Sequence, residues 1–288
     1  GETDYLGTSL ETMTWAAALL AVTSKIKIFS TVHVPVFNPV VVAKMGATLD
    51  HISGGRWGVN LVSGWSEKEF GMMGVKLLPH EERYQRTAAF IEILKGLWTD
   101  TPGTFNHHSA WYDVKDGYCL PQPKRMPEIA NAGTSEDAKE MTTSLCDWAF
   151  ISTPTIEAIS SIVEDISLRA AKKQKQVECA AFPFVLWRDS EDEAQNELEK
   201  IIAQKDEVAA QNWLDGLAIG SGSFDQFTLD MMTVGAGAVH VIGTAEQVAT
   251  KIKTMHDAGL KGVLMIFQAY LQDTIKFRKE IMPLLYEM

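Results

Sequence analysis

The sequence predicts an α/β protein built from repeated strand–helix units around a parallel sheet. Three observations carry that prediction. Apolar, β-branched runs alternate with helical patterns along most of the chain. Gly and Asn stand at many of the joints between them. The repeat is about 30 residues or less per unit, the period of a (β/α)₈ TIM barrel. With 288 residues, 46% hydrophobic and 22% charged, the chain can bury one large core or at most two modest ones, which excludes disorder and fibrous repeats.

Taken in order, residues 15–24 read as the end of an Ala/Leu-rich helix, and 25–32 as the strand that follows. A helix over 39–50 is stopped by Ser53, Gly54 and Gly55 before the strand 56–62. From Glu81 to Trp98, the positions Ala88, Ile91, Leu94 and Trp98 make one apolar stripe, while Glu82, Arg86, Glu92 and Lys95 are solvated. Residues 99–123 read as a loop with a small hairpin. A strand over 128–132, a helix over 135–145 and a strand over 147–151 continue the rhythm. The helix 155–172 places Ile156, Ile159, Ile162 and Ile166 on one face, and the strand 177–187 follows.

The rhythm then breaks. Residues 190–210 form a charged helix, and 217–237 are Gly/Ser-rich with little periodicity, so about 190–240 reads as an insertion. Thr244-Ala-Glu-Gln247 is a capping box that opens a helix to about His256, followed by a buried strand over 262–267 and a last helix to Tyr286. These strands number six where a barrel needs eight. The chain starts on a helix, so the expectation is one barrel domain over 1–288 whose first two strands are absent ahead of Gly1.

Several function classes are excluded. The longest apolar run, Trp15 to Val22, is far shorter than the roughly 18–20 residues of a membrane-spanning helix. A net charge of −11 disfavours nucleic acid and anionic membranes. Three dispersed cysteines, Cys119, Cys146 and Cys179, indicate reduced thiols and a cytoplasmic setting. The Gly220-Ser-Gly222 stretch lacks the third glycine of a dinucleotide fingerprint, and no Walker loop, nucleophile elbow or zinc motif occurs. His107 and His108 are strand neighbours that point to opposite faces, so they do not suggest a shared metal.

In a barrel, function sits at the carboxyl ends of the strands. His33 ends the first strand, either as a polar or acid–base group in the mouth or as a partly buried structural histidine. Asn60 is an amide in an otherwise apolar strand end; a heteroaromatic ring edge could satisfy it, or neighbouring backbone could. Asn131-Ala-Gly-Thr-Ser135 runs from a strand end into a helix start. Its amides and hydroxyls suit a phosphate, although Thr134 with Asp137 would serve equally as a plain cap. Arg83 and Tyr84 supply a cation and an aromatic face, and Glu69 reads as solvated surface.

Together, Thr48-Leu-Asp50, Ser53-Gly-Gly-Arg56, Val59-Asn60-Leu-Val-Ser63-Gly-Trp65, Glu69-Phe70, His80-Glu-Glu-Arg-Tyr84 and Ile242-Gly-Thr resemble the bacterial-luciferase-like flavin monooxygenases. The resemblance spans about Leu10 to Leu285. It is greatest to the two-component branch that uses reduced FMN (FMNH₂) on sulfones and alkanesulfonates, with pyrimidine monooxygenases close by. It implies a luciferase-like barrel with an insertion after strand seven. Asn60 and Glu69 would contact the flavin, Arg83 and Tyr84 would hold its ribityl-phosphate end, and Ser135 would bind the phosphate; His33, from its place at a strand end, is the candidate for a catalytic polar contact near the reacting oxygens.

The resemblance further implies O₂ as co-substrate, activated as a flavin peroxide, and the glycine-rich stretch 220–237 is the candidate for a lid that keeps water from it. A separate NAD(P)H:flavin reductase would supply the reduced flavin, and the protein would form a homo-oligomer. The family's sulfonate enzymes place an Arg and a His on the strand that ends near Trp187, whereas Ala181-Phe-Pro-Phe-Val185 is apolar here, which favours a neutral sulfone. The same scaffold serves deazaflavin (F420)-dependent hydride transfer, which would proceed without oxygen. A flavin-binding but non-catalytic subunit is the alternative of another class.

Overall fold

Most strand-to-helix joints carry a side chain that caps the helix they open. In the computed structural model, which describes residues 8–153, 155–216, 230 and 233–288, Glu11 caps α1 (Thr12–Val22) and Asn38 caps α2 (Pro39–Ser53). Ser66 caps α3 (Glu67–Met72), and Ser135 caps α5 (Glu136–Leu145). The helix α4 (His80–Thr99) starts after Pro79 without a side-chain cap. Gly54 ends α2 in the left-handed region at φ 69°, its N–H bonded to Asp50 O at 2.7 Å.

The chain divides into two units. One comprises Thr8–Ala149 with Arg169–Val177, and the other Phe150–Leu168 with Glu178–Met288. In the first, β1 (Ile28–His33), β2 (Trp57–Val62), β5 (Glu128–Asn131) and β6 (Trp148–Ile151, through Ala149) are adjacent and parallel. The register pairs Thr31 with Asn60 and His33 with Val62. Alternation gives the sheet two different faces. Val32, Val59, Leu61 and Ile129 are fully buried in one cluster with residues of α1, α2 and α4. The other face carries Thr31, His33, Asn60 and Val62, all half-buried.

The expected hairpin is present as β3 (Phe105–His108) and β4 (Asp113–Gly117), antiparallel. His107 is largely buried and His108 is 87% exposed, so the two do point apart. The hairpin packs on α4 through Phe105. A Cβ on Gly96 would lie 2.0 Å from the Phe105 ring, so this mid-helix glycine is required by close approach. Gly96→Ala is expected to destabilise the fold by about 1–3 kcal/mol, overpacking outweighing the gain of about 1 kcal/mol in helix propensity. A fall in the urea midpoint is the measurement.

No basic residue occupies the last turn of α5, and its carbonyls take their cations from elsewhere. Lys95 Nζ donates to Leu145 O at 2.6 Å, Lys173 Nζ to Glu140 O at 2.9 Å, and Lys175 to Cys146 O. Lysines from α4 and from residues 173–175 thus anchor one end of α5 while its N-terminus faces the strand ends.

In the second unit, α6 (Glu157–Lys172, through Leu168) is followed by β7 (Glu178–Ala181) and β8 (Pro183–Trp187). The single strand read over 177–187 is therefore two. Pro183 has no N–H to give to a ladder, and the pairing changes there. After α7 (Glu191–Ala203) and α8 (Glu207–Gly216), β9 (Val239–Gly243) pairs in parallel with β8. The sequence reading missed β9, because His240 interrupts its apolar run. The helix α9 (Ala245–Asp257) opens with both halves of the expected capping box formed.

The strand read over 262–267 pairs with β7 only as β10 (Gly262–Val263). It then crosses to β8 through the bridge Phe184–Ile266. The chain ends in α10 (Tyr270–Glu280) and α11 (Met282–Glu287). Most of the lid read over 220–237 lies outside the described residues. No helix of the described residues is long and apolar enough to cross a membrane.

Candidate functional site

The half-buried polar face of β1 and β2 is where the sequence-predicted residues meet. Asn60 Nδ2 donates to Thr31 Oγ1 at 3.3 Å, across the register pair. Asn60 Oδ1 is buried with no protein partner. An amide oxygen in that state costs free energy unless something else donates to it. His33 Nδ1 is likewise buried and unpartnered. Burial pushes the proton affinity of His33 below the usual histidine range, and the Glu69 carboxylate works in the opposite direction. The neutral imidazole is therefore the favoured form at neutral pH, with Nδ1 able to donate or accept according to its tautomer.

Beyond β2 the chain makes a tight turn at Gly64, φ 107°, where a Cβ would come within 2.6 Å of the Phe70 ring. This close approach lets α3 fold back over the strand end. Phe70, fully buried, stands edge-on to His33 with ring centroids 5.9 Å apart. Glu69 precedes it; read as solvated surface, it is half-buried, and its carboxylate opposes the effect of burial on His33.

The N-terminal half of α4 closes another side. Arg83 Nη1 donates to Gly64 O at 2.5 Å, and Arg83 Nε is buried without a partner. The Ser63 and Thr87 hydroxyls are hydrogen-bonded at 2.8 Å, and Thr87 also bonds Arg83 O at 2.9 Å. Together they fix α4 against the turn after β2. Thr87 is a site-supporting residue that sequence reading missed; a hydroxyl among the apolar positions of α4 was the available signal.

From β5, Asn131 Nδ2 donates to Leu61 O at 2.7 Å, and its Oδ1 accepts from Gly133 N at 2.8 Å. A Cβ on Gly133 would lie 2.7 Å from Tyr84 Oη and 2.5 Å from Ala138 Cβ, so only glycine lets this loop pass between α4 and α5. Ser135, not Thr134, is the N-cap of α5: its Oγ accepts from Ala138 N at 3.3 Å. The hydroxyl hydrogen of Ser135 is left to donate. The amides of Glu136 and Asp137 have no intrahelical acceptor, as in any first turn.

A cavity of about 290 Å³ is lined by Val62, Ser63, Gly64, Trp65, Tyr84, Asn131, Ala132 and Gly133; of the sequence-predicted residues Tyr84 lines it, whereas His33, Asn60, Glu69, Arg83 and Ser135 do not. Its size is near the lower end of small-molecule pockets, about 300–1,000 Å³. It opens beyond the carboxyl ends of β2 and β5, beside the N-termini of α4 and α5. Three unpartnered buried polar atoms, a glycine-lined approach and a helix N-terminus suit a flat, polar-edged ring joined to an anionic tail. Among the described residues no group of His, Cys, Asp and Glu could hold a metal ion.

Comparison with known proteins places this arrangement in context. The model of the luciferase-like monooxygenases matches residues 2–262. An FMNH(2)-dependent dimethylsulfone monooxygenase of Pseudomonas putida is 34% identical over 289 residues, covering 96% of this chain and 79% of its own. The pyrimidine monooxygenase RutA of Agrobacterium fabrum is 30% identical over 300 residues, covering 99% of this chain and 81% of its own. Among solved structures, a long-chain alkane monooxygenase (LadA) matches 98% of this chain and 74% of its own, with a TM-score of 0.86 at 21% identity. DmoA from Hyphomicrobium sulfonivorans matches 98% and 72%, with a TM-score of 0.83 at 20% identity. At those identities the two structures speak for the fold.

Proposed function

The chain belongs to the luciferase-like monooxygenase family and has its α/β fold of TIM-barrel type, and from that premise we propose that it is a reduced-FMN-dependent monooxygenase of a small neutral organosulfur compound. The observation that supports the site is that Asn60 Oδ1 and Arg83 Nε are buried and unpartnered on β2 and α4, two elements that also line the cavity, with His33 Nδ1 in the same state on the neighbouring β1. Bound there, reduced FMN supplies the two electrons that activate dioxygen for transfer of one oxygen atom to the substrate.

The residues divide that work. Asn60 accepts from a ring N–H of the flavin, and Glu69 helps fix the ring. Arg83 and Tyr84 hold the ribityl-phosphate end, and Ser135 donates to the phosphate at the α5 amides. Neutral His33 offers a polar contact to the reacting oxygens. Phe70 and Trp65 exclude water on their sides of the site. The substrate preference follows the relative at 34% identity, a dimethylsulfone monooxygenase, which supports a small sulfone cleaved at a C–S bond. A pyrimidine, also neutral, is the second reading, supported by the relative at 30% identity.

A separate NAD(P)H:flavin reductase completes the system. The test is an anaerobic titration with reduced FMN, following quenching among the eight tryptophans, of which Trp65 lines the cavity. Reduced FMN is expected to bind more tightly than oxidised FMN. With reductase and NADH, oxygen uptake should then couple to consumption of a small sulfone in preference to uracil. Absence of flavin binding would sink the assignment, and preferential turnover of uracil would move it to the second reading.

A further inference from the structure

The first turn of α5 carries two carboxylates, Glu136 and Asp137, where an incoming phosphate would have to settle. Acidic residues suit a helix N-terminus that faces water, but they repel a dianion bound at it. Each is answered from another position. Glu136 accepts from Arg169 Nη2 at 2.7 Å and from Lys139 Nζ at 3.4 Å. Asp137 Oδ2 lies 3.0 Å from His80 Nδ1, on the first turn of α4. Arg and Lys stay charged through neutrality, whereas histidine is the side chain whose charge ordinarily changes between about pH 5 and 8.

His80 is also tied to the cavity. Its ring packs on Tyr84 with centroids 5.0 Å apart, and Tyr84 lines both the cavity and the neighbouring groove between α4 and α5. Glu81 and Glu82 share the first turn of α4 with His80. From α5, Asp137 faces it directly, while the other charged groups of the first two turns are paired elsewhere, Glu136 with Lys139 and Arg169 and Glu140 with Lys173 at 2.6 Å. Carboxylates and lysines ordinarily keep their charge near neutrality, and histidine is the side-chain type that ordinarily does not.

We propose that His80 is a positioning residue that makes the site selective for the phosphorylated flavin: protonated, it neutralises Asp137 and admits the phosphate dianion, and deprotonated, it leaves that carboxylate to oppose it. This rests on the reading of the α5 N-terminus as the phosphate site. His80 and Asp137 are each about half exposed, with side-chain accessibilities of 48% and 46%, so the effect is graded rather than all-or-none.

Dissociation constants for FMN and for riboflavin, measured at pH 6 and pH 8 on the wild type, His80→Gln and Asp137→Asn, test it. Comparing proteins at one pH cancels the titration of the FMN phosphate itself. His80→Gln is expected to weaken FMN about twofold to fivefold at pH 6 and hardly at pH 8, the size of a charge effect at a helix terminus. Asp137→Asn should tighten FMN by a similar factor at pH 8. Riboflavin should respond to neither, and thermal melts should show all three proteins folded. An equal penalty for His80→Gln at both pH values, or for both flavins, would overturn the role of His80. Equal binding of FMN and riboflavin by the wild type would remove the phosphate site beneath both readings.

Discussion

Replacing Asn60 with alanine is expected to weaken reduced FMN binding by about 10- to 100-fold while leaving the free protein within about 1 kcal/mol of its original stability. The two halves of that expectation come from the same atom. Asn60 Oδ1 is buried and has no partner in the protein, so the folded chain already bears its desolvation. Removing it relieves that cost, which offsets the packing lost and the 3.3 Å bond from Nδ2 to Thr31. A ligand that donates to Oδ1 loses that bond. An amide held only by backbone would behave differently, because its deletion would lower stability and leave binding alone. Urea denaturation and flavin titration on the same preparation separate the outcomes, and lost stability with unchanged affinity would return Asn60 to a purely structural role.

Much of this site was legible because strand ends have few ways to satisfy polar groups. Asn60 stood out as an amide in an apolar run, and Ser135 as a hydroxyl where a strand gives way to a helix. Both can be argued from two or three adjacent residues. Glu69 could not be. Whether a carboxylate on a short helix is solvated or half-buried depends on how that helix folds back, which here follows from Gly64 accommodating Phe70. The pairing of His80 with Asp137 spans 57 residues and was invisible for the same reason. In the second unit, β9 escaped because a polar His240 broke its run, and the junction at Phe182 escaped because a strand read as one apolar stretch gives no sign of where its ladder changes partner. The βα rhythm itself was readable because periodicity and caps are local, as the intact box at Thr244 illustrates.

The other end of the same strand supports the second large expectation. Arg56 lies just before β2, and its guanidinium donates to Ser53 O at 2.9 Å, Ile26 O at 2.7 Å, Leu20 O at 3.0 Å, Thr23 O at 2.8 Å and Thr23 Oγ1 at 3.3 Å. These acceptors belong to the end of α1, the connection into β1 and the last residue of α2. One planar fork thus collects carbonyls from three segments whose own ladders have ended. Arg56→Ala is expected to cost about 3–4 kcal/mol, since hydrogen bonds to a charged group contribute about 1.5–3 kcal/mol each and do not add fully. Arg56→Lys should recover only a minor part, because an ammonium has three donors and no fork. Arg56 sits four residues before Asn60, about 13 Å along an extended strand, at the amino end that serves stability in this kind of fold rather than chemistry. The folded fraction of Arg56→Ala should therefore bind reduced FMN with wild-type affinity. Loss of affinity in a protein shown by its melt to be folded would mean that the clamp reaches the site through β2, and that the two ends of the strand are not independent.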